Sequence, residues 1–318
     1  MVIGSNSLNL GGADGSGVQI GAAPSVDVTW TGVTGTTWST ATSSGNWKKT
    51  SDNSAADYSN GTAVLFNDTA TGLTADISAA DVSPASLVFN NSSKNFAVTG
   101  TKGIIGATGL LKQGTGKVTL SSVNRYTGVT TVDGTGGTLQ LNGAAKAQYP
   151  VISGSGANIM AGKMIFDYTG ESSPAATIKS LLTTSYHAGA WDIGQFKSST
   201  ADANHGLGWI ENTTTSQVLV AYTLYGDASV DGKVDLSDLA ALGQSWNGTG
   251  KIWAQGDFNY DGKVDLTDLA ALGQRWNQGI AGFSMALEST TVVPEPGTLA
   301  LLAVGLMGLL AYAWRKRK

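Results

Sequence analysis

The 318-residue chain has no cysteine, which excludes disulfides, zinc thiolates and a thiol nucleophile. Glutamate is nearly as scarce, with only Glu171, Glu211, Glu288 and Glu295. Cleavage of a glycosidic bond needs two carboxylates facing it. The acids that could converge inside a β structure are Asp133, Asp167, Asp192 and Glu211, but nothing in the sequence places them together and surface turns are their expected home. His187 and His205 are the two histidines, both in Gly/Ala/Asn-rich stretches. No nucleophile-elbow motif accompanies either, so Ser-His-Asp chemistry has no footing. Charged residues make up 13% of the chain and the net charge is −4, too small to imply a polyanion partner. With no basic stripe outside the last four residues, nucleic-acid binding is excluded. The stretch GTGKV, 114–118, fails as a phosphate loop: Leu111 stands where the first glycine is needed, and Val118 follows Lys117. The expectation is a protein that is not an enzyme.

What the chain has instead is glycine (43 residues), with Thr, Ser and Asn dominating the first two thirds. Val, Ile, Leu and aromatics recur between the polar turns, in runs such as AVLF, TADI, ASLVF, NFAVTG, GKVTL, TGVTTV and TLQL. Many short strands with Gly/Asn turns point to a mainly β body, an all-β fold or a β-solenoid. Trp30, Trp38 and Trp47 come early and read as a packed cap, with a sugar platform as the alternative. Farther on, Ser173 and Pro174 open a short helical pattern with Ile178, Leu181 and Leu182 apolar. GKMIFDY and QVLVAYTLY read as strands, with Trp191, Phe196 and Trp209 in the core.

The most informative stretch occurs twice. Residues 226–247 read GDASVDGKVDLSDLAALGQSWN and residues 256–277 read GDFNYDGKVDLTDLAALGQRWN, identical at 17 of 22 positions. Each copy places oxygen-bearing side chains at loop positions 1, 3, 5, 9 and 12, with glycine at 6. In the first copy these are Asp227, Ser229, Asp231, Asp235 and Asp238, with Gly232. In the second they are Asp257, Asn259, Asp261, Asp265 and Asp268, with Gly262. Calcium takes six to eight oxygens at about 2.3–2.6 Å, and a short loop wraps it only if alternate residues point inward around a sharp central turn. Glycine at position 6 permits that turn. The carbonyls of Lys233 and Lys263 at position 7 would add a backbone ligand each. Val234 and Val264 at position 8 are expected to pair the two loops through a short β-bridge. The alternative is a pair of acidic surface turns. Eight of the 23 acids lie in these loops, so two bound Ca²⁺ would bring the net charge to about zero. A helix should follow each loop, with Leu239, Leu242 and Trp246 on one apolar face.

A loop followed by a helix, duplicated and without an entering helix, resembles the type I dockerin family over residues 225–279. The resemblance implies Ca²⁺ at two sites, with the ligand positions carried over residue by residue. The chain departs from the family in two respects: Ser229 replaces the usual Asn, and Gly243-Gln244-Ser245 and Gly273-Gln274-Arg275 stand where cellulosomal dockerins often carry a cohesin-contacting Lys-Arg pair. Calcium binding is thus implied more directly than cohesin binding.

Residues 111–141 resemble the autotransporter-associated β-strand repeat, through Gly114, Gly116, Leu120, Asn124, Tyr126, Thr127, Gly128, Thr130, Thr131, Gly137, Thr138 and Leu139. That family implies rungs of a right-handed parallel β-helix. Segments within 165–182 and 206–223 resemble the stretch joining such repeats to dockerin-like tails in exported proteins of planctomycete-type bacteria. At the C-terminus, Val293, Pro294, Glu295 and Pro296 precede a 17-residue apolar run, 298–314, and the basic end Arg315, Lys316, Arg317 and Lys318. As a helix the run is about 25 Å long, the short end of a membrane span. The basic end would stay cytoplasmic. The three features together resemble the PEP-CTERM sorting signal, which implies an exosortase as processing partner. An ordinary membrane anchor is the alternative.

The organisation expected is therefore a remnant of a preceding β repeat, or a leader, over 1–24, with no signal-peptide pattern. A β-solenoid over 25–143 and a β-rich continuation over 144–224 follow. A small α dockerin-like pair over 225–280, a linker over 281–293 and the sorting signal with a transmembrane helix over 294–318 complete it. The expected location is the cell surface, with initial membrane anchoring. The function expected is display of the β body. The alternatives are a carbohydrate-binding or glycoside-hydrolysing component of extracellular polysaccharide breakdown, and an adhesin that binds a cohesin-like partner.

Overall fold

The computed structural model describes residues 26–134, 137–142 and 149–283. The sequence builds short strands because apolar residues alternate with polar ones. Over Gly109–Gln113 and Lys117–Leu120, for example, every second side chain is buried. The opening strands are β1 (Val28–Trp30), β2 (Trp47–Lys49) and β3 (Ala55–Ala56). The repeating part follows, with β4 (Val64–Asn67), β5 (Thr74–Asp76), β6 (Ser86–Asn90), β7 (Phe96–Thr99), β8 (Gly109–Gln113), β9 (Lys117–Leu120), β10 (Thr130–Asp133) and β11 (Thr138–Asn142). After a single turn of helix, α1 (Pro150–Ser153), come β12 (Ala157–Ile159) and β13 (Lys163–Asp167).

Even-numbered strands from β4 to β12 pair in parallel in one sheet, and odd-numbered strands from β5 to β13 pair in parallel in the other. This is a β-solenoid of about four turns. The parallel register stacks like on like. Phe66, Phe89, Lys112, Val132 and Ile159 form one inward file, and Val98, Leu120, Leu141 and Phe166 another. Phe66 stacks on Phe89 with ring centroids 4.8 Å apart. Each such buried side chain contributes about 1.5–3 kcal/mol. Lys112 is the exception in its file: its Nζ donates to the carbonyls of Gln113 and Gly114, and burial lowers its pKa to about 8. Gly114, at φ +75°, makes the corner beside the Asn91 carbonyl, where a Cβ would collide.

Both ends are closed. At the first end β1 joins β4 in parallel, then β2 and β3 turn antiparallel. Trp30, Trp38 and Trp47 are fully buried there, packed on Tyr58 and Phe66, so the tryptophans are core. At the other end α2 (Ala175–Tyr186) covers the core with Ile178 and Leu182. Ser173 accepts from the Ala175 N–H and donates to Glu211, placing a carboxylate at the helix N-terminus, where the dipole favours it. β14 (Phe196–Lys197) extends the first sheet, and the hairpin β15 (His205–Asn212) with β16 (Gln217–Leu224) runs antiparallel onto β13. Trp191, Phe196 and Trp209 are buried as expected. His205 begins a strand rather than lying in a loop. The last elements are α3 (Leu236–Gln244) and α4 (Leu266–Gln274).

Among the described residues no helix is long and apolar enough to cross a membrane. The run 298–314, Val293 to Pro296, and the basic end Arg315 to Lys318 lie outside the described residues, as does 1–24.

Candidate metal centre

Each repeat forms a tight loop and then a two-and-a-half-turn helix. Loop position 9 is the helix N-cap: Asp235 accepts from the Ser237 N–H at 2.8 Å, and Asp265 from the Thr267 N–H at 2.8 Å. Position 12 reaches back, Asp238 accepting from the Asp235 N–H and Asp268 from the Asp265 N–H, at 2.9 and 3.0 Å. Each loop thus ends in a reciprocal capping box. Positions 9 and 12 thus have a second role beyond that expected of them as ligands, and the spacing D-x-x-D carries it.

Position 1 lies at the centre of each loop. Asp227 accepts from the Ser229 hydroxyl and from the N–H groups of Asp231 and Gly232, and Asp257 accepts from the Gly262 N–H. Gly232 and Gly262 sit at φ +85° and +82°, the turn that the pattern required. Asp227, Asp238, Asp257 and Asp268 are buried. Burial pushes the carboxyls of Asp227 and Asp257 up to about 7, and raises those of Asp238 and Asp268. At position 5, Asp231 and Asp261 accept from the N–H groups of Lys233 and Lys263 and stand near enough to Asp227 and Asp257 to act on them electrostatically. Ser229 is half-buried, and Asn259 accepts from the Asp261 N–H. The Lys233 and Lys263 side chains are exposed.

Among the described residues, no three or more His, Cys, Asp or Glu side chains gather as a ready metal cluster. The donor chemistry nevertheless fits a hard cation. Every candidate group is a carboxylate, amide, hydroxyl or backbone oxygen. Asp257 Oδ1 is buried and has no hydrogen-bond partner, an acceptor whose isolation costs stability unless something meets it. Asp227, Ser229, Asp231, Asp235 and Asp238 would hold the ion in the first loop, and Asp257, Asn259, Asp261, Asp265 and Asp268 in the second.

The expected bridge between Val234 and Val264 does not form. Val234 exchanges hydrogen bonds with Asn277 and Gln278, and Val264 with Asn247 and Gly248. Each loop is therefore clasped by the segment that follows the other copy's helix. Those segments carry free backbone donors and acceptors where the helices end, and they fold back before the two valines can meet. Trp246 also departs from expectation. The helix stops at Gln244, so Trp246 lies past its end and is 42% exposed, as its equivalent Trp276 is at 40%. Residues 281–283, expected to open a linker, remain attached: the Phe283 ring stands against Gly232 and over the Lys163 ammonium at 4.3 Å.

The helix pair is fastened to the β body. Thr223 donates to Asp227 and the Tyr260 hydroxyl donates to the Leu207 carbonyl at 2.6 Å, while Trp253, tied inside the module by its Nε1 to the Asp227 carbonyl at 2.6 Å, stands against Gly208 of β15. Arg275 donates to the carbonyls of Ala203 and Asn204. Gly206 and Gly208 leave the room that Tyr225 and Trp253 occupy. A cleft of about 590 Å³ remains between α4 and the body, lined by Tyr186, Asp202, Tyr225, Asn259, Asp268 and Arg275 among others.

The structure does not bring the other acids together. Asp133 ends β10 in one sheet and Asp167 ends β13 in the other. Asp192 pairs with His187 at 2.7 Å, and Asp202 with His205 at 2.9 Å. Asp167 stands in register with Gln217 and Asn212, whereas Glu211 is in register with Val218 and Phe166. Alternation along the strands puts the two carboxylates on opposite faces of the sheet.

Fold and loops together define a β-solenoid that carries a duplicated loop–helix module. Comparison with protein families makes this specific. Residues 225–275 match the type I dockerin domain, and residues 292–318 match the PEP-CTERM protein-sorting motif. The chain carries both. Neither the curated proteins nor the solved structures give a match. Type I dockerin domains in general bind calcium and meet cohesin-type partners, and PEP-CTERM motifs imply exosortase processing. The two together point to an exported, surface-sorted protein.

Proposed function

We propose that the protein is a non-enzymatic surface protein. Its β-solenoid is displayed outside the cell by a sorting tail and held in shape near that tail by two calcium ions, one per loop. The observation that carries this reading is the pair of loops whose innermost carboxylates, Asp227 and Asp257, are 0% and 2% exposed with no cationic side chain against them. A divalent cation meets both the buried charge and the orphaned Asp257 Oδ1. Five acceptor positions per copy at 1, 3, 5, 9 and 12 supply it. The apolar run 298–314 serves as the transient membrane anchor in this reading, and the exosortase acts at the motif Val293–Pro296.

The localisation is tested by surface labelling of intact cells that express the full chain, beside a chain lacking residues 293–296. The reading expects label on the full chain, and retention of the deleted form in the membrane fraction. Recovery of the full chain in the cytoplasmic fraction, inaccessible to label, would overturn it.

A further inference from the structure

The two repeats differ at five of their 22 aligned positions. The first copy has Ala228, Ser229, Val230, Ser237 and Ser245, and the second has Phe258, Asn259, Tyr260, Thr267 and Arg275. All five second-copy residues lie where the module meets the body. Phe258, Asn259, Thr267 and Arg275 line the cleft opposite Tyr186, Ala188 and Ala203, and no first-copy residue lines it. Tyr260 packs against Tyr186, Trp191 and Trp253, at ring-centroid distances of 5.4, 5.5 and 5.6 Å. Its hydroxyl bonds the Leu207 carbonyl on β15. The guanidinium of Arg275 stands 5.5 Å over the Tyr225 ring and donates to two carbonyls of the loop before β15. Ser245, its equivalent, is too short to make such contacts. Tyr260 and its equivalent Val230 share a left-handed backbone, at φ +58° and +55°, so the loop presents both side chains alike and only the second copy offers a ring and a hydroxyl there.

We propose that the second repeat is a built-in docking element. Its five private residues fasten the helix pair to the C-terminal end of the solenoid in one orientation, so the module is a rigid cap on the body rather than a tethered adaptor. The partner surface that these residues fit is the chain's own: the end of α2, the loop before β15 and the first half of β15. The aromatic ring of Tyr260 and the fork of Arg275 fit an aromatic pocket edged by backbone carbonyls, which is what Tyr186, Trp191, Ala203, Asn204 and Leu207 present. The inference rests on the calcium reading only in that the second loop's metal lies next to the docked surface. Docking itself is measurable without metal.

The test uses the full chain, with the second copy given the first copy's residues: F258A, N259S, Y260V, T267S and R275S together. Calcium binding is read by calorimetry, and docking by hydrogen exchange of the β15 amides and by small-angle scattering. The expected result is a fall of at least about tenfold in β15 protection and a larger radius of gyration. The reciprocal change at the exposed first-copy position, S237T, should leave β15 protection unchanged. Unaltered protection and radius in the folded second-copy variant would overturn the proposal. Should that variant not fold, Y260F decides: removal of the single hydroxyl should still lower protection in β15, and an unchanged value would overturn the proposal. A wild-type chain that binds no calcium but still loses docking on the exchange would sink the calcium reading and leave the docking element standing.

Discussion

In the metal-free protein, stability should fall as pH rises from about 4 to about 7, the opposite of the usual trend for proteins with ion-paired carboxylates. The cause lies in Asp227 and Asp257. Burial pushes their carboxyls from the ordinary 3.8 to about 7 in the folded chain. Between those values the folded chain keeps a proton that the unfolded chain has lost. It therefore binds more protons than the unfolded chain, and its stability decreases with pH across that window. A rise of about three units corresponds to at most about 4 kcal/mol per group, reached above pH 7. Calcium should remove the effect, because the cation takes the place of the two protons. The assay is urea denaturation at pH 5, 6, 7 and 8 in chelator and in millimolar Ca²⁺, followed by the fluorescence of the nine tryptophans, Trp253 at the first loop among them. Asp257→Asn removes one titrating group and should take away its share of the slope. A metal-free protein as stable at pH 8 as at pH 5, or an Asp257→Asn variant with the wild-type slope, would refute the reasoning.

Other perturbations separate the body from the loops. Lys112→Met should raise the melting temperature at pH 7, because burial holds the Lys112 pKa at about 8 and the charged form is the disfavoured one. The folded pKa lies below the unfolded one, so the gain is largest below pH 8 and disappears above about 10.5. Phe66→Ala removes a fully buried ring from the file on Phe89 and should cost about 3–5 kcal/mol by thermal melting, with calcium affinity unchanged. Gly262→Ala meets no neighbour and should cost about 1 kcal/mol, the strain of a positive φ alone. Gly232→Ala also drives a methyl into the Phe283 ring, so it should cost about 1–3 kcal/mol more in a calcium-saturated melt.

Local chemistry was legible in the sequence. The calcium-type loops, the sharp turns at Gly232 and Gly262 and the Pro-led helix α2 depend on residues within a dozen positions of one another. The tryptophan cap was legible for a similar reason: three large apolar rings in a charge-poor stretch have to find a core. The solenoid showed itself in the period of its strands and in one recognisable repeat. Non-local pairings were not legible. Val234 and Val264 looked like partners because they hold equivalent positions, but where the chain returns after each helix decides what they meet. Trp246 continued the apolar spacing on paper, yet the helix ends two residues earlier. The attachment of the module to the body depends on Thr223, Trp253, Tyr260 and Arg275. The only sequence signals for it are the difference between the two copies and the small residues Gly206 and Gly208 in a strand.

The most direct test of the account is calorimetric titration of the full chain with Ca²⁺, beside Asp231→Ala and Asp261→Ala. Two binding events, one lost with each substitution, together with slower proteolysis of 225–283 when calcium is present, are the predicted result. No heat and no change in protease resistance at millimolar calcium would contradict it and leave the duplicated loops as acidic turns held by their own capping boxes.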